Sequence, residues 1–393
     1  MKYLFTLLGI SIALMTQRVQ SQVRVPFILQ ENKCVFVEVK INDHPTPFLF
    51  FFDTGAGTSL ISEELAQQLN IQPTYTETVS GASSSKTFKV AESQKLILGD
   101  KIVLDNVDLI IDDNTAQISK SLGRKFDGIL GYDLLHRYLT KVDFDQKEFR
   151  IYQKPEELNT QGFTKHPIEI SEDIPIPHLD VTFTLKDHSS YTGTVLFDSG
   201  AGLNLLINSR FQEQHDLLNK MPNRLIASQN DLTGKGLITL STIQSLEFLG
   251  YKFNTEMLAH VSTDKTGVSA MPGYLGILGA EIINRFNFII DYNNKLLYLQ
   301  PNSLFNLPIN TTVLPFRFKE ESGKITVSHV IEGTDAANQD IEVGDEILEI
   351  NGRKVKGAIW LREQMKLSKD KITLKIRKSD KTIVNKSFRL NKL

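Results

Sequence analysis

At 393 residues the chain is longer than one ordinary core serves, so two or three domains are expected. Hydrophobic residues make up 41% and charged ones 23%, a globular balance, and a net charge of −2 without a long basic block argues against nucleic-acid binding. Cys34 is the only cysteine, which excludes an internal disulfide and leaves the fold to rest on burial alone.

In chain order, Lys2 precedes an apolar run from Leu4 to Met15 and the polar stretch TQRVQSQ. This pattern predicts a signal peptide over residues 1–21, with Val19 and Ser21 as the small residues before a cut near Gln22. The expectation is export to the periplasm or beyond, an uncleaved membrane anchor being the other reading. Cys34 lies in the alternating strand CVFVEVKI and is read as a packing residue.

The strand LFFF then delivers Asp53 into the turn TGAGTS. A charge at the end of an apolar strand is costly to desolvate, and the chain repeats it. The pattern recurs as TVLFDSGAGLNLLI around Asp198, 145 residues on. A second pair is longer: FDGILGYDLLHRYLTKVDFDQKEFRIY (126–152) matches YLGILGAEIINRFNFIIDYNNKLLYLQ (274–300). Both copies share Gly-Ile-Leu-Gly, then an acidic residue (Asp133, Glu281), an Arg (Arg137, Arg285) and an Asp (Asp143, Asp291) at equal spacing. An alternating strand precedes each aspartate, VFVEVKIN before Asp53 and LDVTFTLK before Asp198. Asp133 and Glu281 are expected to open short helices, where a negative charge suits the dipole.

The segment from about Leu314 is unlike either copy. It reads as strand KITVSHVI, short helix TDAANQ, strand EILEIN and an Asn351-Gly352 hairpin turn of type I′. A helix near AIWLREQM puts Ala358, Leu361 and Met365 on one face, and strands ITLKIRK and TIVNKSFRL close the chain. QPNSLFNLPINTT, with two prolines and several asparagines, is expected to be a linker.

One carboxylate per repeat predicts a two-fold arrangement bringing Asp53 and Asp198 together. Two carboxyls about 3 Å apart share a proton, one serving as base and the other as acid. A water between them is then deprotonated as it attacks a peptide carbonyl, while the other Asp protonates the carbonyl oxygen. That chemistry needs no metal and no cofactor. Thr54 and Ser199 supply hydroxyls to fix the two loops, and Gly55 and Gly200 let backbone amides approach the carboxylates.

These residues resemble the aspartic proteases: Asp-Thr/Ser-Gly-Ala-Gly, with Ile129-Leu130-Gly131 and Ile277-Leu278-Gly279 downstream. The short units without disulfides are similar to the retroviral type, here two in one chain as in pepsins. The resemblance covers roughly residues 27–302 and implies a mainly β fold, two lobes with the site between them. Ile-Leu-Gly would be structural support behind the catalytic loops. The lobes are expected at 22–155 and 156–303. Pepsin-like enzymes carry a tyrosine on a flap over the site, and none stands in the matching region. The candidate tips are VSGASSSKTF, with Gly81, Ala82 and Ser83, and SQNDLTGKG, with Gly234; ordinary surface turns are the other reading of each. Ala56 and Ala201 follow the motif where many pepsin-like enzymes have a hydroxyl. A methyl cannot donate to the dyad, so a mildly acidic to near-neutral optimum is expected.

The C-terminal stretch EGTDAANQDIEVGDEILEINGRKV resembles a PDZ domain of the bacterial protease-associated type, expected over 312–393. By that resemblance a peptide would add as a strand along PFRFKEE, beside the helix bearing Trp360 and Leu361, Trp360 itself being read as packing.

A dinucleotide site is disfavoured because Leu60 and Leu205 stand where a third glycine is needed. Two functions stay open. One is an exported aspartic endopeptidase, a monomer with a peptide or protein substrate and a PDZ domain for peptides. The other is a non-enzymatic peptide-binding protein on a protease scaffold. Intact Asp53, Asp198, Thr54 and Ser199 favour the first.

Overall fold

The computed structural model describes residues 22–31, 33–81, 84–152, 154–221, 223–230, 235–368 and 371–393. The expected signal peptide and three of the candidate tip residues, Ala82, Ser83 and Gly234, lie outside the described residues. The fold is mainly β. Among the described residues no helix is long and apolar enough to cross a membrane.

Each repeat builds the same local arrangement around its aspartate. Strand Phe48–Phe52 pairs antiparallel with Cys34–Ile41 and parallel with Gly128–Leu130. Strand Ser190–Asp198 pairs antiparallel with His178–Thr184 and parallel with Gly276–Gly279. A strand flanked on both sides and covered on both faces reads as a continuous apolar run, and Phe50, Phe51 and Phe52 are all buried. Short strands Leu60–Ser62 and Leu205–Ile207 then run antiparallel to the Gly-Ile-Leu strands, returning the chain across the back of each loop.

The second repeated motif joins the halves. Its hairpins, Leu139–Asp143 with Glu148–Tyr152 and Phe286–Asp291 with Leu296–Pro301, lie side by side, paired through Phe288↔Val142 and Ile290↔Thr140. The repeated Asp caps each hairpin turn: Gln146 N donates to Asp143 Oδ1 and Asn294 N to Asp291 Oδ1, both at 3.0 Å. Phe52 packs on Phe149 at 4.8 Å and Phe197 on Phe288 at 5.4 Å between ring centroids. The residue before each aspartate therefore rests on the sheet that unites the halves. One buried cluster runs through both repeats, from Val25 and Phe52 to Phe197 and Leu299.

The C-terminal segment has its own core of Phe316, Phe318, Ile347, Leu361, Met365, Leu374 and Phe388, with Trp360 packed against it. Its sheet runs Phe316–Glu321, Lys324–Val330, Glu346–Ile350, Lys371–Arg377, Ile383–Arg389 in spatial order, so Phe316–Glu321 is an edge strand. Asn351 and Gly352 take φ of 48° and 75°, the left-handed pair a type I′ turn demands. The helix spans Ala358–Leu367 and buries Ala358, Leu361 and Met365, as its spacing predicts. TDAANQ shortens to a single 3-10 turn, Ala337–Gln339.

The stretch expected to be a linker is held to the second repeat: Pro301 ends a strand, and Arg285 Nη1 donates to the carbonyls of Leu304, Phe305 and Leu307 at 2.6–3.1 Å. Sequence composition shows prolines and asparagines but not the half-buried arginine that collects the carbonyls of this stretch.

Candidate active site

Asp53 and Asp198 emerge from the ends of their strands into facing loops. Asp53 N donates to Leu130 O at 2.9 Å, and Asp198 is in register with Gly279. The Gly closing each Ile-Leu-Gly has a reason that spacing alone does not reveal. A Cβ on Gly131 would sit 2.1 Å from Asp53 O, and one on Gly279 2.3 Å from Leu203 O. These glycines let the loop fold back over its support strand.

The loops are locked to each other by a reciprocal exchange. Thr54 N donates to Ser199 Oγ at 3.0 Å and Ser199 N to Thr54 Oγ1 at 2.9 Å, while Thr54 Oγ1 donates to Phe197 O at 2.7 Å. Both side chains are buried, so each unpaired group would cost about 1–3 kcal/mol. Gly55 and Gly200 face the opposite carboxylates so closely that a Cβ would lie 2.5 Å from Asp198 Cγ and 2.3 Å from Asp53 Cγ. Only a residue without a side chain fits at either position.

The carboxyls hydrogen-bond each other and draw amides from both loops. Asp53 Oδ1 accepts from Gly55 N at 2.7 Å and Gly200 N at 3.1 Å; Asp198 Oδ1 accepts from Gly200 N and Ala201 N, both at 2.9 Å. The two halves differ here. Ala201 N serves the carboxylate of its loop, whereas Ala56 N donates to the main-chain oxygen of Asp53. Burial raises both carboxyls above the usual aspartate range. Asp53 is raised further by the neighbouring Asp198 charge, while Asp198 is eased by its bond from Asp53 and by the Ala201 and Gly200 amides. The pair accordingly holds one proton between them, one carboxyl protonated and the other charged. Each aspartate keeps part of its surface open, so the crowding that lifts them leaves a face to solvent.

Several supporting residues lie outside what the motifs reveal. Asp133 lies in the first turn of the short helix Tyr132–Leu135, as expected, and it also accepts from Ser59 N at 2.8 Å, pinning the Asp53 loop. Glu281, its counterpart, pairs with Lys33 and so links the halves. Pro175 lies over the Asp53 loop, 3.3 Å from where a Gly57 Cβ would be. Cys34 is half-buried, and burial pushes its thiol up to about 11, which suits packing and not nucleophilic work.

Both candidate tips belong to hairpins, Tyr75–Ser80 with Ser85–Leu98 and Leu225–Asn230 with Lys235–Ile243. The first crosses to the other half: Val268 N donates to Gly81 O at 2.9 Å. No signal in the sequence pairs Gly81 with Val268. Among the described residues no group of three or more His, Cys, Asp or Glu side chains is placed to hold a metal ion.

The aspartyl protease family model matches residues 37–134, and the PDZ domain model matches residues 311–377. The first match takes in Asp53, Gly55 and Gly131 and ends before the second repeat. No curated protein matches the chain. On these matches and the geometry of the Asp53 loop, the chain carries a retropepsin-like aspartyl protease domain and, after it, a PDZ domain.

Proposed function

We propose that this protein is an exported aspartic endopeptidase, two lobes in one monomeric chain, that cleaves peptide bonds with a water held between Asp53 and Asp198. The observation that carries the reading is the reciprocal Thr54–Ser199 exchange, which sets both carboxyls face to face within reach of the Gly200 amide. In the first step the charged carboxylate of the pair takes a proton from the water, whose oxygen attacks the peptide carbonyl carbon, while the protonated carboxyl gives its proton to the carbonyl oxygen. In the second, the tetrahedral intermediate expels the amine, which leaves with the proton taken from the water, and the other carboxyl recovers its own. The PDZ domain binds a peptide, and the leader over residues 1–21 directs export.

The test is hydrolysis of a peptide library by the wild type, Asp53→Asn and Asp198→Asn, with and without pepstatin. Each substitution is expected to lower kcat about 10²–10⁴-fold or more, the scale of a lost acid or base, and pepstatin to block the wild type. Equal cleavage by all three proteins excludes the dyad. No cleavage by a folded wild type favours the peptide-binding reading.

A further inference from the structure

A PDZ domain takes a peptide as an added strand along an exposed sheet edge. Here that edge is Phe316–Glu321, walled by the helix Ala358–Leu367. The groove is partly covered by another part of the chain. The helix Thr115–Leu122 of the protease domain packs against the edge strand, and Lys120 pairs with Glu321 at 2.6 Å. Gly123, at φ 70°, approaches so closely that a Cβ would lie 2.9 Å from Ala358 Cβ.

Arg362 is the centre of this contact. Its Nη1 and Nη2 donate to Ser121 O at 3.0 Å and Leu122 O at 2.5 Å, carbonyls at the end of that helix, the second of which also accepts from Gln30 Nε2 at 3.0 Å. Its Nε donates to Glu31 Oε1 at 2.8 Å, and Lys366 reaches Glu31 Oε2 at 2.9 Å. Both Glu31 and Arg362 are largely buried, with 12% and 15% of their side chains exposed. Burial pushes Glu31 up, but the two cations outweigh it and hold its carboxyl below the usual range.

Meanwhile, among the described residues no backbone hydrogen bond reaches the outer edge of Phe316–Glu321. The groove's charged anchor is thus filled while its strand-pairing groups are left unused. The domain is tied to the other half as well: Glu332 bridges to Ile226 on the second hairpin, and Val313 and Ile331 share an apolar cluster with Leu225, Ala227 and Ile238.

We propose that this contact is an intramolecular latch, and that an extended peptide with an acidic side chain competes for the groove, taking Arg362 and Lys366 from Glu31 while pairing with Phe316–Glu321. Because the docked domain bridges both halves of the chain, its release loosens the cleft and raises hydrolysis. That last effect rests on the endopeptidase reading; the competition does not.

Binding is therefore measured first, on full-length Asp53→Asn, with a labelled, C-terminally amidated decapeptide pool bearing one central Glu and a matched Gln pool. Anisotropy and the fluorescence of Trp360, the single tryptophan, report occupancy. The Glu pool is expected to bind at least about tenfold more tightly than the Gln pool, the worth of one charge-assisted contact, and to speed amide exchange over residues 115–124. Adding Glu31→Gln removes the internal competitor and tightens Glu-pool binding about tenfold, whereas adding Arg362→Ala abolishes it. With Asp53 restored, either change raises basal hydrolysis several-fold, and the peptide no longer activates Arg362→Ala. Equal binding of the two pools, or Glu31→Gln without effect on affinity or exchange, overturns the latch. Competition and exchange as expected in a protein that cleaves nothing would instead overturn the protease reading and leave the latch standing.

Discussion

At the scale of single residues, the dyad shows how one fold makes two like carboxyls unequal. The aspartates occupy equivalent positions, yet only the second loop turns its Ala amide onto the carboxylate. Holding such a pair has a stability consequence whose sign runs opposite to most acidic groups. Both folded-state carboxyls titrate above their unfolded value of about 3.9. Their contribution is then most favourable below that value and is lost as pH rises through the folded pKa values. Asp53→Asn and Asp198→Asn are accordingly expected to melt higher than the wild type at pH 7, with the gap closing below about pH 4; calorimetry across pH checks it. A wild type that melts higher at neutral pH would falsify the raised pair. The raised pair also favours a hydrolysis maximum nearer neutrality than an unperturbed aspartate would allow. Thr54→Val removes a hydroxyl that both accepts from Ser199 N and donates to Phe197 O. Each group left unpaired costs about 1–3 kcal/mol, so a lower denaturant midpoint and a kcat loss exceeding any KM change are expected.

At the scale of elements, the loops owe their shape to glycines with different tasks. Gly131→Ala would drive a Cβ into Asp53 O, whereas a Cβ on Gly202 in the other loop meets nothing within 4 Å. Gly131→Ala is expected to cost at least about 1–3 kcal/mol and to abolish hydrolysis, with Gly202→Ala near wild type in both. Equal tolerance of the two would show that the loop relaxes more easily than its packing implies. The first hairpin offers a second test. Its tip is held to the other half only by Val268 N among the described backbone bonds, so Val268→Pro deletes the donor at a residue that is only partly packed on the core. A several-fold rise in KM with an unchanged melting temperature is the expected outcome. A fall in stability with KM unaltered would make the contact structural.

At the scale of the whole molecule, the halves are not independent. Phe288 supports Phe197 before Asp198, packs on Phe144 at 6.1 Å, and lies in the strand that pairs with Leu139–Asp143. Phe288→Ala should cost about 3–5 kcal/mol, and hydrogen exchange should show both repeats losing protection together. Loss confined to residues after Asp198 would mean the shared sheet is weaker than its continuous core implies. The C-terminal core is separate, yet Val313 and Ile331 are buried against the second repeat, so its stability is linked to that half.

Much of this was legible from residues alone because it is periodic, local or repeated. Strand alternation marked Cys34–Ile41 and His178–Thr184, Asn351-Gly352 marked its turn, and the recurrence of Asp-Thr/Ser-Gly named the dyad and its hydroxyls. These signals survive in one dimension, since a repeated motif implies a two-fold without coordinates. What only the tertiary structure decided are contacts between segments far apart in sequence. They include Asp133 on Ser59, Lys33 on Glu281, Arg285 gathering three carbonyls, Val268 on Gly81, and Arg362 on Glu31. Spacing cannot reveal them, because a charge or an amide finds its partner by where the chain folds and not by where it falls in the sequence.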